Sequence, residues 1–546
     1  MMMMMRLQFS LALFLITFSC VSFESNANDQ QHLEGFLSCL QKKSSKDNTL
    51  ISTIIYTPKN TSFKSALDFY IQNTKFFAPE TPKPVAILTP ETESQIQSAI
   101  FCGKKHGLEM RIRSGGHDFE GNSYVSQVPF FVLDMFNFRS ISVNVESKTA
   151  WIGAGATLGE TYYGIYDKAK TLAFPGGYCP TVGIGGFISG GGYGALTREF
   201  GLAADNVVDA RIIDANGRIL DRESMGEDLF WAIRGGIGSN FGVILSYKVK
   251  LVDVPEYVTA FNIVRTTEQN AAELIHKWQN VVSQLPLKLT LSLVIFSGVS
   301  PQTGKPTALV IFAGVYRDGG AEKLLQIMDD QFPELGLKKE DLLEMLWIQY
   351  FPFHMAQPFD KPKEFLTSRV PPFKFSFAGK SDFLHEPISV EGVEKILNKI
   401  SELPPFNAQM EWTHFGGGIM DKFPESETPF PHRKTLIMLF ESANWAPNDS
   451  SDVAETRKNW VKSLHNIVGE YVLHKNPRYA YANYRDYDLG INNPHGETTI
   501  EQAKKWGIPY FKDNFDRLVK VKNQVDPENF FRNEQSFPVF PAHSEL

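Results

Sequence analysis

The first part of the chain alternates short apolar runs with amphipathic stretches. Residues 85–88 (VAIL) and 110–113 (MRIR) are rich in β-branched and other apolar side chains, whereas residues 94–106 repeat their apolar positions at helical spacing. Short strands that alternate with helical stretches predict a mixed α and β unit between residues 84 and 254.

A different pattern follows from about residue 256 to 473. Residues 289–295 and 308–313 form longer runs of strand type, and residues 321–332 form an amphipathic helix between such runs. This arrangement predicts an antiparallel sheet with helices on one face. A single helix is expected over residues 501–525. Taken together, these elements predict that the chain as a whole is α+β.

Composition and charge narrow the class of protein. Of the 546 residues, 43% are hydrophobic and 21% are charged, as in soluble globular proteins. The formal net charge is -7 and no Lys/Arg-rich run occurs, so nucleic acid is not an expected partner. The histidines are scattered singly and no G-x-S-x-G occurs, so neither a metal site nor an α/β-hydrolase is predicted.

The start of the chain resembles a targeting segment. Arg6 precedes an apolar run over residues 7–23, and residues 25–27 (SNA) suit a cut before Asn28. This predicts a signal peptide over residues 1–27, with a signal anchor as the alternative. No later stretch is long and apolar enough to span a membrane, so we expect a protein of the secretory pathway, either secreted or vacuolar/apoplastic.

The cysteine count points to one unusual thiol. Removal of a signal peptide removes Cys20 and leaves Cys39, Cys102 and Cys179. In an oxidising compartment two of three should pair, and Cys39 and Cys102 each lie on a predicted amphipathic helix. Cys179 lies in a tight loop (GGYCP), so it is the candidate for chemistry. Sequons at Asn60 and Asn448 are compatible with glycosylation.

Glycine is concentrated in three loops, at residues 114–117, 183–194 and 235–240. Successive backbone N–H groups without Cβ atoms can cradle an anion or a cofactor. The spacing fits neither G-x-G-x-x-G nor the P-loop, and glycine-rich structural loops are the alternative.

Several sequence blocks carry a resemblance to a known family. They occur in order along almost the whole mature chain: RIRSGGHDFEG (111–121), CPTVG (179–183), GGGYG (190–194), GLAADN (201–206), GEDLFWAIRGG (226–236), NYRD (483–486) and FFRNEQS (530–536). Together they resemble the berberine bridge enzyme-like family of FAD-linked oxidoreductases, and within it the cannabinoid synthase-like subgroup.

The resemblance implies a vanillyl-alcohol-oxidase/PCMH-type FAD-binding fold with an antiparallel-sheet substrate domain. The FAD-binding domain would comprise residues 28–253, with its PCMH-type core at about 80–254. The substrate domain would follow at 254–475, and the segment 476–546 would complete the FAD domain. A monomer is expected, with O2 and a small molecule as reaction partners.

The resemblance also implies a bicovalent FAD. His117 would bond the 8α-methyl of the isoalloxazine and Cys179 would bond C6, while Cys39 and Cys102 match the family's disulfide. The residues expected to bind the cofactor are His117, Cys179, Arg113, Ser114, Gly115, Gly116, Tyr178, Val182, Gly183, Gly186, Tyr193, Gly194, Val243, Asn483 and Tyr484.

Two further positions match the family's catalytic residues. Tyr484 matches its general base, and Lys380 matches a lysine that could stabilise the tyrosinate, since an isolated tyrosine has a pKa near 10. Val182 stands where valine is typical of oxidases and leucine of dehydrogenases, because a small residue leaves space for O2. The expected product of reoxidation is hydrogen peroxide.

Departures from the family pattern bear on the substrate. Phe187 and Phe415 replace a usual histidine and tyrosine, Met438 occupies a position that often holds Glu or Gln, and Glu441 follows three residues later. A pocket near Phe415, Met438 and Glu441 would be unusually apolar. This favours a phenolic or prenylated aromatic plant metabolite, undergoing dehydrogenation or oxidative cyclisation. A pericyclase that keeps FAD without net redox chemistry, and a carbohydrate or monolignol oxidase, are the alternatives.

Overall fold

The fold is described from a computed structural model, for residues 30–43, 51–474, 477–494 and 496–540. The predicted signal peptide and its cleavage site lie outside these residues. The strands are β1 (Ile55–Tyr56), β2 (Ala86–Leu88), β3 (Glu109–Arg113), β4 (Phe130–Asp134), β5 (Ile141–Asn144), β6 (Thr149–Gly153), β7 (Leu172–Ala173), β8 (Val207–Ile213), β9 (Ile219–Leu220), β10 (Val243–Lys250), β11 (Val252–Asp253), β12 (Tyr257–Thr266), β13 (Leu289–Val299), β14 (Pro306–Tyr316), β15 (Leu343–Leu346), β16 (Ser376–Leu384), β17 (Ala408–His414) and β18 (Ile437–Trp445).

The helices complete an α+β architecture, as predicted. They are α1 (30–43), α2 (Phe63–Asp68), α3 (Glu93–Lys105), α4 (Leu158–Lys168), α5 (Ile184–Ser189), α6 (Thr197–Phe200), α7 (Arg222–Ala232), α8 (Ala271–Val281), α9 (Gly320–Gln331), α10 (Trp347–His354), α11 (Pro362–Thr367), α12 (Val390–Ser401), α13 (Ser451–Val468), α14 (Ile500–Phe511) and α15 (Asn514–Val525).

The N-terminal half contains two larger sheets and a two-stranded pairing of β7 with β11. A four-stranded sheet has the order β1-β2-β4-β3, with β2 and β3 parallel to β4. A five-stranded antiparallel sheet has the order β5-β6-β10-β8-β9. The glycine-rich segment that was singled out in the sequence starts α5, whose Ile184 and Ile188 are buried in the largest core.

The second half contains the predicted antiparallel sheet, in the order β15-β12-β14-β13-β17-β18-β16. One face packs against helices, since Trp278 of α8, Ile396 of α12 and Leu464 of α13 share a core with Trp412 and Leu439 of the sheet. Side chains of a strand alternate between faces, so every second residue of β16, β17 and β18 points the other way. That other face contributes to the candidate site.

The disulfide prediction is confirmed. Cys39 and Cys102 are bonded, which joins α1 to α3 across 63 positions of sequence, and both are buried. Cys179 is the free cysteine of the described residues. Asn60 and Asn448 are exposed, and their glycosylation stays a prediction.

The prediction of one helix over residues 501–525 is wrong. Two helices occupy the segment, with the first ending at Phe511 and the second beginning at Asn514. Lys512 adopts a φ of 45°, which a helix cannot include, and Pro509 lacks an N–H in the preceding turn. The break lets both helices pack on the core through Trp506, Phe515 and Leu518. Within the part of the chain that the structure describes, no helix has both the length and the apolar character needed to cross a membrane.

Candidate active site

One cavity brings together most of the residues that the sequence singled out. It is lined by the glycine loops, by α10, by β17 and by the segment after residue 480. The predicted residues that line it are Ser114, Gly115, Gly116, His117, Tyr178, Cys179, Val182, Gly183, Gly186, Tyr193, Asn483 and Tyr484.

The His117 and Cys179 side chains converge on a single hydroxyl. His117 Nε2 lies 2.9 Å from Thr181 Oγ1, and Cys179 Sγ lies 3.6 Å from the same oxygen. Burial lowers the pKa of His117 to about 4, so its imidazole is neutral and can act as a nucleophile. Burial also raises the pKa of the Cys179 thiol, although the Thr181 hydroxyl opposes this. The two nucleophiles therefore share one end of the cavity.

The loop that carries His117 depends on glycine. Gly116 has a φ of 69°, and a Cβ there would lie 1.9 Å from the Tyr70 carbonyl oxygen. Gly115 and Gly183 approach so closely that a Cβ on Gly115 would lie 2.4 Å from the Gly183 nitrogen. A Cβ on Gly186, by contrast, would meet nothing within 4 Å. Gly115 and Gly116 thus close the loop, and Gly186 leaves backbone open to the cavity.

Aromatic side chains form another wall. The hydroxyls of Tyr193 and Tyr484 are 2.5 Å apart, and Phe119 stacks on Tyr484 with ring centroids 4.9 Å apart and planes 11° apart. Phe440 approaches the Tyr484 ring at 4.8 Å. Tyr484 thus packs against two phenylalanines, which also contact each other, and its hydroxyl is bonded to Tyr193.

The structure places Lys380 away from Tyr484. Lys380 Nζ lies 2.7 Å from Asp486 Oδ2 and 2.8 Å from Asp488 Oδ2. Burial raises the pKa of Tyr484 well above its usual range, and the Glu411 carboxylate raises it further. The expectation that Lys380 stabilises a tyrosinate at Tyr484 is therefore corrected, because two carboxylates already bind its ammonium group.

Glu441 is also outside the cavity. It pairs with Lys380 in the register of β18 and β16, and its Oε2 lies 3.1 Å from His465 Nδ1 of α13. Without a bulge, a residue three positions from Met438 points to the opposite face of the strand. The prediction of Glu441 as a pocket residue is wrong for that reason.

Phe415 and Met438 form a second layer rather than the cavity surface. Both are buried in one cluster with Tyr193, and the Phe415 and Tyr193 rings are 5.4 Å apart in an edge-on arrangement. The apolar side chains expected at these two positions are present, but they pack behind Tyr193 and do not face the cavity themselves.

Three residues expected to bind the cofactor do not line the cavity. Arg113 is fully buried with its guanidinium 2.6 Å from Asp134 Oδ2. Gly194 packs so tightly that a Cβ would lie 2.0 Å from the Gly176 carbonyl oxygen. Val243 is buried in the core beneath the first sheet. The residues next to Arg113 and Val243 in sequence line the cavity instead.

Sequence reasoning missed Thr181, His354 and Glu411, all of which the tertiary structure brings near the cavity. Glu411 and His354 line it, and the His354 ring stacks on Tyr178 at 4.0 Å. The alternation of polar and apolar residues in β17 was the available signal for Glu411. This alternation identifies a polar face of the strand, but it does not show that this face lines a cavity.

The residues present suit a flavin dinucleotide. The cavity that His117 and Cys179 line is also lined by Arg111, whose Nε is buried without a hydrogen-bond partner in the described part of the chain. A buried donor of this kind is normally satisfied, so a bound polar group is expected beside it. Open backbone at Gly186 and the planar aromatic wall at Tyr484 suit phosphate and ring groups, respectively.

Comparison with known proteins agrees with this chemistry. Residues 84–222 match the family described as FAD binding domain, and residues 480–538 match the family described as Berberine and berberine like. Tetrahydroberberine oxidase from Argemone mexicana is 45% identical over 510 residues, which cover 92% of this chain and 91% of that protein.

Solved structures are similar over the same extent. The structure of BBE-like #28 from Arabidopsis thaliana has a TM-score of 0.86 at 43% identity and covers 93% of this chain and 100% of its own. Phl p 4.0202, a glucose dehydrogenase, has a TM-score of 0.85 at 40% identity and covers 93% and 99%. An isoleucine-to-valine variant of Phl p 4 is a glucose oxidase. This chain belongs to the berberine bridge enzyme-like family of FAD-dependent oxidoreductases, with the vanillyl-alcohol-oxidase/PCMH-type FAD-binding fold.

Proposed function

We propose that the protein is an oxidase of the secretory pathway that holds FAD on His117 and Cys179 and oxidises a phenolic or prenylated aromatic plant metabolite. The observation that carries this proposal is the convergence of His117 and Cys179 on Thr181 within an aromatic cavity. Bound FAD would supply the two-electron acceptor and pass the electrons to O2, which gives hydrogen peroxide. We further propose that residues 28–253 and 476–546 form the FAD domain and residues 254–475 the substrate domain.

The aromatic wall supports the substrate class. Phe119 and Tyr484 line the cavity and offer aromatic surfaces, while the paired hydroxyls of Tyr193 and Tyr484 can hydrogen-bond a substrate oxygen. Phe415 and Met438 keep the layer behind Tyr193 free of carboxylates. A planar phenol fits these contacts better than a sugar does. The cannabinoid synthase-like subgroup stays a prediction.

The test is to measure O2 consumption and peroxide release with prenylated phenols, monolignols and oligosaccharides. We expect turnover with the phenols, together with reduction of the flavin absorbance when O2 is removed. Product formation without flavin reduction would instead support the pericyclase alternative. Turnover confined to oligosaccharides or to monolignols would identify the carbohydrate or monolignol oxidase.

Val182 is expected to control the access of O2. It lines the cavity three residues after Cys179, and the Phl p 4 variant shows that a valine can convert a dehydrogenase of this family into an oxidase. Val182→Leu adds a methylene group where O2 would approach. We expect reoxidation by O2 to slow by about tenfold, which corresponds to roughly 1.4 kcal/mol in the barrier.

Rapid mixing of the reduced enzyme with O2 measures this rate. Val182→Ala is the matched control and should reoxidise at least as fast as the wild type. The anaerobic rate of flavin reduction should change little in either variant. Equal reoxidation rates in the leucine and alanine variants would contradict the assigned role of Val182.

A further inference from the structure

A carboxyl group lies in the wall of the cavity where the family comparison did not predict one. Glu411 belongs to β17, in which Ala408, Met410 and Trp412 point into the helix-covered core. The intervening residues of a strand point to the opposite face, and Glu411 accordingly lines the cavity. The loss of a carboxylate at Met438 on β18 is thus accompanied by a carboxylate on the neighbouring strand.

Glu411 has no positive charge to neutralise it. Gln409 Nε2 donates a hydrogen bond of 2.6 Å to Glu411 Oε1, and no ion pair to Glu411 occurs among the residues that the structure describes. Burial raises the pKa of Glu411 to about 7, and the hydrogen bond from Gln409 lowers it in part. A carboxyl group in this state exchanges its proton near neutral pH, as a general base must.

The titratable groups on which the Glu411 carboxylate acts are three tyrosine hydroxyls and one thiol, which are neutral at neutral pH. Burial raises the pKa of Tyr178, Tyr193, Tyr484 and Cys179, and the Glu411 carboxylate contributes to the increase in each case. Across the sheet, the register places Val294 of β13 and Phe440 of β18 beside Glu411, and both are apolar.

The other possible proton acceptors in the cavity are poorer. Tyr484 would have to form a phenolate where burial and a nearby carboxylate both oppose it. His354 stacks on Tyr178, and burial lowers its pKa to about 4, so it holds a proton poorly at neutral pH. His117 is committed to the cofactor in the proposed function. Asp118 also lines the cavity, but its Oδ2 lies 3.0 Å from Arg485 Nε, so Glu411 is left as the cavity carboxylate without an ion pair among the described residues.

We propose that Glu411, rather than Tyr484, is the general base that accepts the proton of the substrate phenol. This inference rests on the proposed oxidase function. In the step, the phenol O–H bond breaks, an O–H bond forms on the Glu411 carboxylate, and the electron pair stays on the phenol oxygen. One of the paired hydroxyls of Tyr193 and Tyr484 then donates a hydrogen bond to that oxygen, while the other donates to its partner hydroxyl. Gln409 is a positioning residue, because it acts on the proton affinity of Glu411 and not on the substrate.

The first test measures the proton on Glu411 in the holoenzyme without substrate. Infrared difference spectra across a pH titration should show a carboxylic-acid C=O band that disappears as the pH rises through about 7. Glu411→Gln should lack the band, and Gln409→Leu should shift its loss to higher pH. A titration that is the same in the wild type and in Glu411→Gln would overturn the inference.

The second test measures anaerobic flavin reduction by prenylated phenols and by the methyl ether of each phenol. For phenols, the wild-type rate should rise with pH through about 7 and then level off, since the base must be ionised. Glu411→Gln should lower the plateau by about 10²–10⁴-fold and abolish the pH dependence. Glu411→Asp should recover part of the rate, and Tyr484→Phe should keep the pH dependence.

Two controls separate the possible failures. Retention of covalent FAD in Glu411→Gln shows that the variant is folded and loaded. The methyl ethers carry no phenolic proton, so any reduction by them should be unaffected by Glu411→Gln. If no phenol reduces the wild-type flavin, the proposed function fails and this inference fails with it. If phenols reduce it but Glu411→Gln keeps both rate and pH dependence, only the assignment of Glu411 fails.

Discussion

Replacement of both His117 and Cys179 by alanine is expected to release all FAD when the protein is precipitated with acid. The two side chains meet at Thr181 Oγ1, at 2.9 Å and 3.6 Å, and in the described residues of this cavity they are the nucleophiles placed side by side. Without them the cofactor would depend on non-covalent contacts, which denaturation removes. Absorbance of the pellet and intact mass of the protein measure retention directly.

The single variants are the controls for this experiment. Cys179→Ala should keep its FAD through His117, and His117→Ala should keep it through Cys179. Both should oxidise substrate more slowly, because one tether holds the ring less rigidly and lowers its reduction potential. Retained FAD in the double variant, or unchanged turnover in Cys179→Ala, would contradict the bicovalent assignment.

Arg433→Met is expected to produce the largest loss of stability. The guanidinium of Arg433 bonds both carboxylate oxygens of Asp205 at 2.7 Å, and the two side chains are 0% and 3% exposed. Removal of one partner leaves a buried charge uncompensated, which costs about 3–5 kcal/mol. The pair joins residues 228 positions apart, so its loss should also weaken the packing near the glycine loop. The midpoint of thermal unfolding reports the effect.

An exposed ion pair provides the matched control. Arg222 lies 2.8 Å from Glu227 with both side chains well exposed, so Arg222→Met should cost at most about 1 kcal/mol. The double variant Arg433→Met with Asp205→Asn should recover part of the lost stability, because no charge is then left buried alone. Similar unfolding midpoints for Arg433→Met and Arg222→Met would show that the buried pair is not important for stability.

Candidate site residues that lie within a single glycine-rich loop could be identified from the sequence. His117 and Cys179 each stand in a short, glycine-rich block, and the odd count of cysteines already left Cys179 without a partner. The pairing of Cys39 with Cys102 was predicted as well, because each lies on a separate amphipathic helix. In these cases the local conformation that the glycines or the helix impose makes the side chain stand out in the sequence, and the bonds of His117 and Cys179 to FAD stay a prediction.

Residues on strands were harder to assign. Lys380 matched an expected site position, and Glu441 lies three residues from another one. Both side chains nevertheless point to the helix-covered face of the sheet, where Lys380 bonds Asp486 and Glu441 bonds His465. Glu411 was missed because it lies on β17, whereas the resemblance to the family pointed to Met438 on the neighbouring strand, β18. A strand exposes alternate side chains on both faces, so identity in sequence does not determine which face meets the cofactor.

By itself, the sequence determined the mixed α and β character of both halves of the chain, the glycine-rich loops and the disulfide, and it singled out His117 and Cys179 as candidates, because each follows from a local pattern. The tertiary structure decided what those residues meet. It placed Thr181 between His117 and Cys179, packed Phe415 and Met438 behind the tyrosine wall, and put Glu411 in the cavity with no ion pair to it in the described part of the chain. Strand register and domain packing set these contacts between distant parts of the chain, and no local sequence pattern encodes them.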